Sequence, residues 1–414
     1  MYNQATQRRL FYTLFIAQSL FSAAQIAVFT LVAIVAVRLS GNDESVAGLP
    51  SSALTFSQAL SALPIALIMG RFGRRMGLSL GYAAGALGGV IGVVAILQGI
   101  FPLLLLSAGL MGMARASSDL GRFVAGEIFA ESERARMIGR LIFAGTIGAV
   151  AGPALVAPSG QLMDSFGLQS DVGPWVAMFV LCVLASLLVF VLLRPDPMVF
   201  NQANVASKET KLDNPPEQTS RPLGTLLMLP KVQLAMLAVI ISQTVMVVLM
   251  VMTPLYMHHH QHGTDAISLV IAMHTLGMFG LSPVTGYLID RYGRIPMLLV
   301  GAVTLVGASL LAPVSTNQYI LAVALFLLGL GWNFGYVSGS SLLADALQGA
   351  ERTRVQGVND ALVFLAAGFG SLGAGPLFAS GGYVAISIAG LVLAVVMISL
   401  IVWYNRPQLR TEAV

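Results

Sequence analysis

From its first residues the chain alternates long apolar runs with short polar breaks that carry glycine and proline. A helix needs about 20 apolar residues to cross the hydrocarbon of a bilayer. Twelve runs reach about that length, at 11–38, 50–70, 78–97, 102–125, 140–160, 175–193, 232–257, 266–289, 295–313, 319–344, 357–379 and 382–404. The pattern therefore predicts an all-α membrane protein of twelve transmembrane helices, numbered here as spans 1–12. The first run follows Arg8 and Arg9, as a signal peptide would. It is too long for the apolar core of one, and no small-residue cleavage site ends it, so it reads as a retained span.

Composition strengthens this picture. Of the 414 residues 57% are hydrophobic and 10% charged, and the mean hydropathy is +0.84. Soluble domains are about 25% charged, so soluble enzymes, nucleic-acid binders and disordered chains are excluded. The net charge of +4 and pI of about 9.3 could suggest a nucleic-acid partner, but the placement of the bases explains them otherwise. With the N-terminus in the cytoplasm, 20 of the 22 Lys and Arg fall in or beside cytoplasmic segments. The exceptions are Arg38, at the outer end of span 1, and Arg115, inside span 4. The outer loops hold no Lys or Arg, but carry Asp43, Glu44, Asp164, Asp171 and Asp265. This positive-inside distribution predicts a bacterial inner-membrane protein with both termini cytoplasmic. The single cysteine, Cys182, can form no intrachain disulfide.

The longest polar stretch, 194–231, is charged, contains proline and lacks apolar periodicity, as a cytoplasmic linker would. It divides the chain into two six-helix halves, 1–193 and 232–414. The halves repeat each other. Glu133-Arg134-Ala135-Arg136-Met137-Ile138-Gly139 matches Glu351-Arg352-Thr353-Arg354-Val355-Gln356-Gly357, 218 positions later, and Glu127 aligns with Asp345 at the same offset. Arg71-Phe72-Gly73-Arg74 matches Arg291-Tyr292-Gly293-Arg294 at an offset of 220, and Gly152-Pro153 matches Gly375-Pro376 at 223. A duplicated helical unit is a common plan of secondary transporters.

At these residues the sequence resembles the major facilitator superfamily over nearly its whole length. Gly286, Asp290, Arg291, Gly293 and Arg294 match the superfamily signature G-x-x-x-D-R-x-G-R in the loop after span 8. The first-half loop keeps Arg71, Gly73 and Arg74, but Gly70 stands where the acid is expected and Ala66 where the first glycine is. The resemblance implies a cytoplasmic latch in which these bases meet Glu127 and Asp345; plain positive-inside anchoring is the alternative. Gly139, Gly148, Gly152 and Pro153 resemble the antiporter motif of span 5, with Val156-Ala157 replacing its final Gly-Gly. They imply export, or else ordinary glycine packing.

Arg115, Asp119 and Arg122 lie four and three residues apart in span 4 and share a helix face. Charges inside a membrane are costly and are functional hypotheses by default. Arg115 also resembles the span-4 arginine of proton-driven antiporters, although Ser118-Asp119 replace that motif's Gln-Gly. Asp119 is the expected proton carrier with Arg115 tuning it, against a static ion pair. Spans 1, 4, 7 and 10 line the superfamily's cavity, which raises Gln25, Gln243, Asn333 and Trp332 as substrate contacts. Gln18, Gln58 and His274 are further polar candidates, each of which could simply bridge helices. His274-Thr275-Leu276-Gly277-Met278-Phe279 resembles a bacterial branch associated with vitamin uptake. His258, His259, His260 and His262 crowd one outer loop, but adjacent residues seldom converge on one metal, so no metal or cofactor is expected.

The expected function is secondary active transport of a small, largely apolar organic compound, as proton-coupled efflux. Import of a metabolite or vitamin is the alternative, and a transport-inactive sensor or scaffold a third. No HExxH, GxxxxGK[ST] or GxSxG motif supports an enzyme. The expected partners are substrate, protons and lipid, with the protein monomeric.

Overall fold

The computed structural model describes residues 3–129, 131–198, 221–347 and 349–411. It omits the side chains of 123, 126, 131, 132, 134–136, 138, 139, 142, 349, 350, 353 and 406–411. All regular structure among the described residues is helical. Most of the predicted linker, 199–220, lies outside them, as do the side chains of Arg134, Ala135, Arg136 and Ile138 in the repeat that ends at Gly139.

The spans form Gln4–Leu39, Leu49–Phe72, Arg74–Gln98, Phe101–Ile128, Glu131–Ala151 with Val156–Ser165, and Gly173–Leu192. The second set is Pro230–His259, Thr264–Thr275 with Ser282–Tyr292, Arg294–Leu311, Gln318–Asp345 and the continuous element Gly349–Thr411. Ten of the described helices are long and apolar enough to cross a membrane, and the bent pair of span 8 makes an eleventh. The last element carries two spans joined without a loop, because its backbone leaves helical geometry only at Gly381 and Gly382. Those glycines fall where span 11 was expected to end.

Two spans differ from their predicted form. Span 5 begins at Glu131 rather than near 140, because a polar stretch extends the helix beyond its apolar part. It then breaks at Gly152, where Pro153–Leu155 make a single 3₁₀ turn. Proline cannot donate to the helix ladder, which accounts for the break. Span 8 is interrupted by a π-helical turn at Leu276–Gly280, and its two parts meet at a 40° bend. Gly277, Gly280 and Pro283 punctuate the break.

The chain divides into two compact units. The first takes the chain up to Gly41 and from Ala53 into the linker; the second takes Asn42–Ser52 and everything after the linker. Close approach of small residues builds each. In the first, glycines of span 3 admit both neighbours. A Cβ at Gly85 would stand 3.0 Å from Cys182 Sγ on span 6, and one at Gly88 3.0 Å from the Ser107 carbonyl on span 4. In the second, a Cβ at Gly301 would lie 3.0 Å from the Gly335 nitrogen, so spans 9 and 10 meet nearly backbone to backbone. Without a hydrophobic force between helices in lipid, such packing carries association. Large side chains such as Leu187, Val191, Val303 and Leu310 stand exposed, which water would penalise and lipid does not.

The glycines of span 5 face span 1. A Cβ at Gly152 would lie 2.7 Å from the Ala23 carbonyl, and one at Gly148 would collide with that of Ser19. Ser19 also donates from its hydroxyl to the Ala144 carbonyl at 2.8 Å. Overpacking this contact with Gly148→Ala should lower unfolding stability by about 1–3 kcal/mol. Gly307→Ala, where nothing lies within 4 Å, should stay within about 0.5 kcal/mol; denaturant titration of purified protein measures both.

Candidate functional site

Arg115 and Asp119 face one another within span 4, with Nε 3.2 Å from Oδ1. Two other spans complete their shell. Arg115 Nη1 donates to Gln25 Oε1 at 2.7 Å, and Gln58 Nε2 donates to Asp119 Oδ2 at 2.8 Å. The side chains of Arg115 and Asp119 keep 35% and 29% of their surface exposed. The pair is thus neither sealed nor free: its charges are matched, yet protein does not fully enclose the carboxylate. Beside it Ser118 donates to Gln18 Oε1 at 2.5 Å and meets the buried Tyr82 hydroxyl. Tyr82 carried no sequence signal, because nothing in the glycine-rich span 3 marks it as facing span 4.

At the ends of spans 3 and 4, Arg74 grips Glu127 through two nitrogens of its guanidinium, at 3.0 and 2.6 Å. Arg294 donates to Asp345 at 3.0 Å and to Asp290 at 3.3 Å. Arg71 and Arg291 instead lie over the rings of their neighbours Phe72 and Tyr292. Gly73 and Gly293 both adopt positive φ, 95° and 92°, a conformation that side chains disfavour. Gly286 has open space around it. At the start of the second unit's last element, Arg221 donates through Nε and Nη2 to Glu351 at 3.0 and 2.8 Å. These bonds push the Arg221 guanidinium above its ordinary pKa.

In the second unit Trp332 Nε1 donates to Gln243 Oε1 at 2.8 Å. Indole N–H is only a donor, so this bond fixes which way the amide points. Gln243 Nε2 then faces elsewhere, with no hydrogen-bond partner among the described residues. The Trp332 ring stacks on Tyr336, centroids 4.9 Å apart, and meets Phe279 edge-on at 5.8 Å. Phe279 belongs to the π turn of span 8. Asn333 is buried and fully engaged: its Nδ2 donates to the Met278 carbonyl at 2.5 Å and to Ser282 Oγ at 3.0 Å. Its Oδ1 accepts from Thr285 at 2.6 Å. It satisfies groups that the broken helix leaves open, and so holds the break together. His274, also buried, bonds through Nδ1 to the Leu325 carbonyl at 2.9 Å, while its Nε2 has no partner among the described residues.

The outer histidines diverge. His259 lies 3.5 Å from Glu44, His260 bonds to the Tyr256 carbonyl and His262 to that of Thr316. Among the described residues no three His, Cys, Asp or Glu converge on a metal position. Replacing Asn333 by Leu would strip the Met278 carbonyl and the Ser282 hydroxyl of this partner, whereas Thr285 can still donate to the Leu281 and Ser282 carbonyls. This variant should lose about 1–3 kcal/mol of stability, read by thermal unfolding, and Asn333→Asp at least as much, because its buried carboxylate cannot donate to the Met278 carbonyl or to Ser282.

A sequence profile of the Major Facilitator Superfamily matches residues 14–265 and 235–413. The chain is 35% identical over 404 residues to the MFS-type transporter YdeG of Bacillus subtilis, covering 96% of this chain and 92% of that one. It is 31% identical over 414 residues to the riboflavin transporter RfnT of Brucella anthropi, covering 100% of both. Its fold is similar to the crystal structure of a D-xylose–proton symporter, with a TM-score of 0.74 at 15% identity over 94% of this chain and 96% of that one. The duplicated helices, the signature loop and these likenesses agree: the chain belongs to the major facilitator superfamily, and is a multi-pass membrane transporter of a small molecule rather than an enzyme.

Proposed function

We propose that the protein couples proton movement to export of a small organic solute through the inner membrane, with both termini cytoplasmic. The carrying observation is the partly exposed Arg115–Asp119 pair with its Gln25 and Gln58 partners. Asp119 is the proton carrier. As a carboxylate it accepts from Gln58 and balances Arg115; protonated, it can no longer balance that charge, and Arg115 is left to Gln25. Gaining or losing one proton thereby rearranges bonds among spans 1, 2 and 4. Such a bistable element is what coupling requires. Arg74–Glu127 and Arg294–Asp345 serve as cytoplasmic latches, aided by Arg71, Asp290 and Arg291. The protein acts as a monomer.

The solute presents a flat ring and a hydrogen-bond acceptor. Phe279, Trp332 and Tyr336 offer aromatic surface, and the oriented amide of Gln243 offers N–H donors beside them. A polar group held at this depth is best explained by a wet cavity rather than lipid. Asn333 and His274 shape the wall rather than touch the solute. The glycine motif of span 5 favours export. The full-length likeness to a riboflavin transporter favours a second reading, in which a vitamin-like ring compound is taken up.

Riboflavin is the first probe, in proteoliposomes with an imposed pH gradient. Asp119→Asn should cut gradient-driven transport at least about tenfold while exchange without a gradient persists; unchanged gradient-driven transport would overturn the coupling role. Gln243→Leu should raise the half-saturating concentration about tenfold, the factor one hydrogen bond carries. Cells lacking the protein separate the directions. Greater susceptibility to planar toxic compounds supports export, and impaired riboflavin uptake supports import.

A further inference from the structure

The two cytoplasmic loops are built alike but do not hold the same charges. Gly73 (φ 95°, ψ 160°) and Gly293 (φ 92°, ψ 164°) share one backbone conformation. After each, an arginine reaches an acid at the end of another span: Arg74 to Glu127 and Arg294 to Asp345. The second loop adds a further acid, Asp290, one turn before Arg294. At the matching place the first loop has Gly70.

A carboxylate does reach the first loop, from a different part of the chain. Asp196, at the start of the linker, accepts from the backbone N–H of Arg74 at 3.1 Å through Oδ1 and from that of Arg75 at 3.0 Å through Oδ2. These amides belong to the four that a helix leaves unsatisfied at its start, where negative charge is favourable. The seat is shaped for it. A Cβ at Gly73 would collide with the Asp196 carboxylate. Met198 N–H donates to Oδ1 at 2.9 Å, and Leu193 and Pro197 are buried. The guanidinium groups of Arg75 and Arg194 both lie over Phe190, at 5.1 and 5.9 Å, and Arg9 donates to the Arg194 carbonyl at 2.5 Å.

We infer that Asp196 stands in for the acid missing at position 70, so that the first turn of the linker is a working part of the first unit's cytoplasmic ion-pair set. Asp196 is a positioning residue. It holds Arg74 by the backbone and adds negative charge beside it, while Glu127 holds the guanidinium. The role is independent of which solute is carried and in which direction.

Hydrogen–deuterium exchange on the full-length protein in nanodiscs tests it without a substrate. Asp196→Ala should speed exchange of the Arg74 and Arg75 amides about tenfold, and that of 123–129, around Glu127, about threefold. Asp196→Asn keeps an acceptor for one of the two amides and removes the charge. It should leave one of the two amides within about threefold of wild type, release the other, and still loosen 123–129. Gly70→Asp, at a position with open space around it, should restore 123–129 in either background without restoring the amides in Asp196→Ala. A simple helix cap would not behave so. Unchanged exchange at 123–129 in both Asp196 variants, or no restoration by Gly70→Asp, would overturn the inference. If Asp196→Ala proves globally unfolded, the Asp196→Asn pair with and without Gly70→Asp decides.

Discussion

A charge carried into hydrocarbon must find its match there, and much of this molecule's order follows from that demand. Arg115 could not sit in span 4 alone, since each unpaired charge near the bilayer centre costs about 2.5–3.5 kcal/mol on insertion scales. Asp119, one turn away, answers it. The remaining donors and acceptors of the two side chains then draw in Gln25 from span 1 and Gln58 from span 2. One ion pair thereby sets the relative rotation of three helices, helped by the Ser118–Gln18 bond between spans 4 and 1 and the Ser57–Gly109 bond between spans 2 and 4. The same demand at the span ends around Arg74 and Arg294 is met by acids gathered from distant spans, and in the first unit by one from the linker.

The twelve spans were legible because lipid imposes a coarse rule: long apolar runs separated by charge. That rule reads the membrane rather than the helix. It placed the start of span 5 near residue 140, where hydrophobicity begins, although the helix itself begins at Glu131. It missed the break in span 8 because Leu276, Met278 and Phe279 are as apolar as their surroundings. Gly277, Gly280 and Pro283 were the available warning. By contrast, Gly381 and Gly382 separated spans 11 and 12 where the chain does turn.

Within the site, spacing along one helix was readable and partnership between helices was not. Four residues separate Arg115 from Asp119, so one turn of helix brings them together whatever surrounds them. That Gln25 and Gln58 are the flanking partners, or that Asn333 is consumed by the carbonyl of Met278, depends on the packing of separate spans. A single sequence records no such contact. Asp196 was hidden for another reason: among linker residues an acid is unremarkable until Gly73 is seen to leave space for it.

The π turn of span 8 amounts to one residue more than a regular helix would need. Each residue advances a helix by about 100°, so the side chains after Ser282 are carried round relative to those before Leu276. A stripe followed along Thr264–Thr275 therefore cannot be extended straight to Asp290 and Arg291. Loss of a single residue within the turn would change the register between the two parts, swinging the signature loop by that angle and detaching Asn333 from its carbonyl, while Pro283 would still hold the bend. Related chains can thus differ here by one residue in length and still be equally helical, while presenting a different face of the same loop.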